Sequence, residues 1–130
     1  MGGHAVVNRL VGQLAAFPAV QGCALVEADS GMVWYHAGSL PDIESTCEAG
    51  VEFWRVQSRL SDNFNALGGL QSAAYSYARH VVALFPCSGK PALVLVCIAQ
   101  KDGMDWSGWG KQVPGLKKAL AESLGEEIGT

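Results

Sequence analysis

Charge is what this chain has least of. Asp, Glu, Lys and Arg together make up 16% of its 130 residues, against about a quarter in an ordinary soluble domain. That leaves little material for a fully wetted surface, so part of the apolar surface is expected to be covered by a partner. The 9 Lys and Arg are outnumbered by 12 Asp and Glu and form no run or cluster, which excludes the basic footprint of nucleic-acid binding. No apolar run approaches the roughly 20 residues that a membrane span needs. Residues 10–20 lean apolar, but Gln13 and Pro18 interrupt them and no clean cleavage site follows. They read as an amphipathic helix rather than a signal peptide. Val20-Gln21-Gly22-Cys23 is a poor lipoprotein box, and Gly2 lacks the Ser or Thr at position six that myristoylation favours. A cytoplasmic protein without membrane insertion is expected.

Motifs that carry chemistry are missing too. The four cysteines, Cys23, Cys47, Cys87 and Cys97, include no CxxC pair and no Cys-His spacing of a zinc site. They read as reduced structural residues. Gly89-Lys90 has no upstream phosphate-loop glycine, and Pro91 stands where Ser or Thr is required. Gly108-Trp109-Gly110 lacks the third glycine of a dinucleotide fingerprint, and no GxSxG elbow occurs. His4, His36 and His80 have no carboxylate at metal-ligand spacing, and Pro86-Cys87 lacks the second cysteine of a deaminase site. A nucleophile pair of Cys87 with His80 across a hairpin is a minor alternative. No catalytic residue, metal or cofactor is expected.

What is present is a core. Residues 92–99, Ala-Leu-Val-Leu-Val-Cys-Ile-Ala, are apolar at every position. The run is rich in β-branched residues and bounded by Pro91 and by Gln100-Lys101-Asp102-Gly103. It reads as a strand buried on both faces, which requires cover on both sides and a neighbour at each edge.

The remaining segments supply those layers. Val6, Val7, Leu10, Val11, Leu14 and Phe17 predict a helix over 4–17, stopped by Pro18. Residues 22–28 predict a second central strand. Asp29-Ser30-Gly31 turns the chain into a hairpin arm over 32–36. Residues 42–67 predict one long helix between Pro41 and Gly68-Gly69. Its charges, Glu44, Glu48, Glu52, Arg55, Arg59 and Asp62, share a solvated stripe. Its apolar residues form two stripes, roughly 130° apart by helical geometry. One holds Phe53, Val56, Leu60, Phe64 and Leu67; the other holds Ile43, Cys47, Val51 and Trp54. Either a wide face wraps a curved core, or one stripe covers the sheet and the other meets a partner subunit. The expectation is that the first covers the sheet and the second, with Trp54 as anchor, is left over.

Residues 70–77 are half polar and contain no Pro, Lys or inward charge that would block pairing. They predict an open edge strand. Residues 81–85 predict the next strand, with a hairpin loop over 86–91. A last helix starts near Asp105 or Ser107, carries Trp106, Trp109, Val113, Leu116, Leu120 and Leu124, and breaks near Pro114. Residues 125–130 are expected to fray. Trp34, Trp106 and Trp109 read first as core. The whole is one domain over 1–130 of α/β (α+β) type. It has a five-stranded antiparallel sheet in the order 2-1-5-4-3, one long helix on one face and the two terminal helices on the other.

Gly22-Cys23-Ala24-Leu25-Val26-Glu27-Ala28-Asp29-Ser30-Gly31-Met32-Val33 resembles the first hairpin of the roadblock/dynein light chain family, whose fold is profilin-like. Leu10-Val11-Gly12-Gln13-Leu14 and Phe17-Pro18-Ala19-Val20-Gln21-Gly22 resemble that family's entry from helix to strand, and residues 92–98 with Asp102 resemble its last strand. The Trp- and Gly-rich segment 105–115 departs from the pattern. The resemblance implies a non-enzymatic dimer in which strand three pairs with its copy and the long helices pack together. Carried onto this chain, the dimer interface is Cys47, Val51, Trp54, Ala73, Ala74, Tyr75, Ser76 and Tyr77. It also implies a small Ras-like GTPase as partner, facing Glu48, Glu52, Arg55 and Arg59. The runner-up is a PAS- or GAF-like ligand sensor with a pocket between sheet and long helix; a small enzyme comes third.

Overall fold

The computed structural model describes residues 2–129, and the packing of side chains from residue 3 to residue 125. Helix α1 (Gly2–Ala15) leads into β1 (Val20–Glu27) and β2 (Val33–Gly38). Helix α2 (Ile43–Arg59) continues into a 3-10 helix (Ser61–Leu67). Strands β3 (Ala73–Ser76), β4 (His80–Gly89) and β5 (Ala92–Gln100) follow, then α3 (Trp106–Gly110) and α4 (Val113–Gly129). The sheet order is β2-β1-β5-β4-β3, antiparallel throughout.

Strand β5 occupies the centre because its two side-chain sets are both apolar. Leu93, Leu95 and Cys97 point into one core with Val7, Val11 and Leu14 of α1 and Trp109, Leu116 and Leu120 beyond them. Val94, Val96 and Ile98 point into the other with Cys47 and Val51 of α2. All of these but Ile98 are at most 2% exposed, and each fully buried side chain of this size contributes about 1.5–3 kcal/mol.

Three expectations are corrected in detail. The long helix is not continuous: α2 ends at Arg59 and residues 61–67 are 3-10. Ser61, Asp62, Asn63 and Asn65 are side chains that compete for backbone hydrogen bonds and weaken an α-helix. The edge strand is shorter, 73–76 rather than 70–77. The loop expected over 86–91 is largely strand: β4 runs to Gly89, with a register shift between Pro86 and Ser88 that leaves Cys87 as the extra residue.

The segment that departs from the family pattern folds as two helices. Asp105 Oδ1 accepts from the Gly108 amide at 3.0 Å and caps α3. Pro114 falls in the first turn of α4, where its missing N–H costs nothing. Trp109 is fully buried, and its indole Nε1 donates to the Leu14 carbonyl at 3.1 Å, tying α3 to α1. The expected fraying at 125–130 is not seen as far as Gly129, which ends α4; Thr130 lies outside the described residues.

Candidate functional site

Helix α2 has three faces, and its neighbours identify them. Ile43, Cys47, Gly50 and Val51 are buried against the sheet. A Cβ at Gly50 would sit 3.1 Å from Val96 Cγ1, so the glycine lets the helix backbone approach closely. The charged face turns towards the β1–β2 hairpin: Glu44 Oε1 lies 3.0 Å from His36 Nε2, and Arg55 Nε donates to the Ala28 carbonyl at 2.7 Å. The other apolar face turns towards β3, where Phe53 stacks on Tyr75.

This reverses the expected roles of the two apolar stripes. Cys47 and Val51 are wholly buried in the chain's own core and present nothing to a partner. Trp54 is half-buried and packs on the same core. The stripe left in solvent is Val56, Leu60, Phe64 and Leu67, exposed by 45%, 43%, 47% and 81%. Sequence periodicity placed both stripes on the helix. The signal that separates them is Gly50: a glycine inside a helix, flanked by Cys47 and Val51, marks the side that touches another backbone or side-chain layer closely.

Of the residues expected on the edge strand, Ala73 to Ser76 form β3 and Tyr77 follows its last residue. Ala73 is half-buried; Ala74, Tyr75, Ser76 and Tyr77 are exposed. Among the described residues, β3 pairs with β4 on one side and lies at the end of the sheet, so its other backbone edge is unpaired. Among the described residues, seven large hydrophobic side chains are exposed, and six of them (Val56, Leu60, Phe64, Leu67, Tyr75 and Tyr77) lie on α2, its 3-10 extension and the β3 edge. The seventh, Met32, is at the β1–β2 turn. Two further hollows were not foreseen. One of about 350 Å³ is lined by Trp54, Gln57, Phe64 and Leu70 beside the 3-10 helix. Another of about 440 Å³ lies on the opposite face of the sheet, between Ala74, Ser76, Ala83 and Trp106.

Of the residues expected to face a GTPase, Glu48, Glu52 and Arg59 are exposed and Arg55 is half-buried. Arg55 also pairs with Glu52 one turn earlier.

Chemistry of other kinds finds no constellation. Cys87 and His80 lie on the same strand seven positions apart, about 23 Å at strand rise, so they do not meet. All four cysteines are free and buried. Burial pushes the Cys87 thiol up to about 11 and the Cys47 thiol up to about 12. A hydrogen bond with Cys97, its cross-strand partner, raises Cys23 most, with burial adding to it. Among the described residues no group of three or more His, Cys, Asp or Glu is placed to hold a metal ion, and no helix is long and apolar enough to cross a membrane.

No family model and no curated protein matches the sequence. Solved structures do match the fold. A Roadblock/LC7 domain from Streptomyces avermitilis superposes with a TM-score of 0.76 at 17% identity, over 90% of this chain and 96% of that one. MglB of Myxococcus xanthus gives 0.75 at 14% identity, over 93% and 96%. An MglB in a tetrameric arrangement gives 0.73 at 13% identity, over 94% and 93%. With the same strand order, one long helix on one face and the terminal helices on the other, the chain has the Roadblock/LC7 fold.

Proposed function

We propose that this chain is a single roadblock-type domain that acts in the cytoplasm as a non-catalytic, homodimeric regulator or scaffold of a small Ras-like GTPase. The observation that carries the dimer is the continuity of the apolar flank of α2 with the open edge of β3. A second copy that adds its own β3 antiparallel to this one would pair the free backbone groups. The same approach would cover Phe53, Tyr75, Val56, Leu60 and Phe64. The dimer surface therefore uses the stripe the sequence reading assigned to the sheet, together with the edge strand it assigned to the partner.

The GTPase is the partner implied by the roadblock resemblance, and the charged flank of α2 suits it. Glu48, Glu52 and Arg59 stay exposed on the flank bordering that seam, Glu52 and Arg59 one turn either side of Val56, so they would rim the dimer and remain open to a GTPase. The sensor alternative required a pocket between sheet and long helix. That space is filled by Cys47, Val51, Val94 and Val96, all at most 1% exposed.

Two measurements test the reading. Light scattering on the purified chain should give the mass of two copies, and Leu60→Asp should give one copy with an unchanged circular dichroism spectrum. A purified Ras-like GTPase of the gliding-motility class, loaded with a fluorescent GTP analogue, should bind the wild-type chain saturably. A monomeric wild type sinks the dimer; a dimer that leaves the GTPase unbound sinks the partner.

A further inference from the structure

The free edge of β3 has a fixed parity. The Tyr77 amide donates to the His80 carbonyl at 2.8 Å, and the ladder continues with Ser76 opposite Val81, Tyr75 opposite Val82 and Ala74 opposite Ala83. Hydrogen-bonded pairs alternate along an antiparallel ladder. Tyr77, Tyr75 and Ala73 therefore direct their backbone groups to β4, while Ala74 and Ser76 direct theirs outward. Side chains alternate in step. Tyr75 lies on Phe53 and Ala73 packs on the α2-side core, so Tyr77 shares that face.

An edge that meets its own copy does so about a two-fold axis, and parity leaves few registers. With the axis at Ala74, Ala74 pairs with the partner's Ala74 and Ser76 with the partner's Ser72, giving about six hydrogen bonds. With the axis at Tyr75, Ala74 pairs with the partner's Ser76 and the strand offers about four. An axis at Ala73 sets Ser76 against the partner's Leu70, three residues before β3 begins. The Ala74 axis also sets Tyr75 beside the partner's Ala73, a small neighbour that leaves the ring on Phe53.

In that register Tyr77 falls opposite the partner's Gln71, on the α2 face. There each copy carries a hollow of about 310 Å³ lined by Phe64, Leu67, Leu70 and Gln71. A Cβ at Gly69, in the same wall, would meet nothing within 4 Å. Tyr77 is 51% exposed in one copy, and Phe64 and Leu67 are 47% and 81% exposed. Projecting ring and hollow lie at opposite ends of one strand, and antiparallel pairing is what brings one to the other. The fitting occupant is thus a second copy of this chain. We infer that two copies pair β3 about an axis at Ala74, which seats Tyr77 of each in the hollow beside the partner's Gln71. This rests on the proposed dimer and fixes its register and its anchor.

Single cysteines introduced into the full chain read the register, because every native cysteine is buried. A disulfide needs Cα atoms about 4.4–6.8 Å apart, which only a residue facing its own copy at the axis provides. Under mild oxidation Ala74→Cys should cross-link fastest. Ala73→Cys and Tyr75→Cys stand diagonal to their own copies, about 7–8 Å away, and Ser76→Cys farther. Tyr77→Ala should weaken the dimer about tenfold, read by sedimentation over a range of concentrations. Gly69→Leu should weaken it similarly by filling the hollow, and the double variant should be no weaker than either, because the leucine occupies the space the ring has left. Fastest cross-linking at Ala73→Cys, Tyr75→Cys or Ser76→Cys overturns the register, and so does a dimer that Ala74→Cys fails to cross-link. Tyr77→Ala without effect, or losses that add to near a hundredfold in the double variant, overturn the seat. A monomeric wild type removes the proposed dimer itself; a wild-type dimer with the wrong register or an idle Tyr77 fails this inference alone.

Discussion

Phe53 of α2 lies flat on Tyr75 of β3, with ring centroids 4.0 Å apart and planes inclined by 23°. The stack joins the helix that covers the sheet to the strand that ends it. It also places an aromatic pair at the boundary between the chain's own core and the apolar surface in solvent. Phe53 is half-buried and Tyr75 is 36% exposed. Truncating either ring should loosen β3 against α2. A Phe53→Ala, Tyr75→Ala double-mutant cycle, read by urea denaturation, should give a coupling of about 0.5–1.5 kcal/mol. A coupling near zero would mean that the rings stack without holding the edge strand.

The helix-to-sheet contact at Gly50 makes a sharper prediction. Filling that position drives a side chain into Val96, in a core that has no slack. Gly50→Val should destabilise the chain by about 1–3 kcal/mol from overpacking, even though valine replaces a poor helix former. Gly50→Val as stable as wild type would show that α2 sits farther from β5.

The cysteines set a pH dependence. Burial holds Cys87 and Cys47 as neutral thiols, with pKa raised from the ordinary 9.0 to about 11 and about 12. Between pH 9 and 11 the unfolded chain loses these protons while the folded chain keeps them, so the folded state binds more protons and stability must fall as pH rises. The contribution is complete below about pH 9. Thermal midpoints should fall from pH 9 to 11, and the fall should lessen in a Cys87→Ala variant. At pH 8 the folded chain should resist iodoacetamide at all four thiols and react at them once denatured.

The solvent stripe of α2 predicts a clean separation of assembly from folding. Val56→Asp and Leu60→Asp replace side chains that are 45% and 43% exposed in one copy. Surface changes of this kind cost the single copy within about 0.5 kcal/mol. At the centre of a dimer they bury an unpaired charge, which is costly. Each variant should be monomeric with a melting temperature that no longer depends on protein concentration. Leu95→Ala, in the core, should instead lose about 2–5 kcal/mol.

The sequence made some layers plain and concealed others for physical reasons. Strand β5 was legible because apolar residues at eight consecutive positions have no other use in a chain this size. The strand order followed from short hairpins and from the two most apolar strands needing the centre. The faces of α2 were half legible: its charges fix the solvent flank, but two stripes of similar hydrophobicity do not say which one meets the sheet. Size decided it, since Cys47 and Gly50 fit against Val96 and a row of Val56, Leu60 and Phe64 leaves no such hollow. The hydrogen bond from Arg55 was hidden because helical periodicity places its charge without naming its partner, and Ala28 is 27 residues away.

The most direct test of the central claim measures where two copies meet. Every native cysteine is buried, so a nitroxide attached to a Ser76→Cys variant would report from the exposed end of β3 alone. If β3 pairs with β3, neighbouring strands lie about 4.8 Å apart and four residues span about 13 Å, so electron dipolar spectroscopy should find the labels within about 25 Å of each other. A dimer with labels beyond about 40 Å, or a label that sees no partner, would contradict the account.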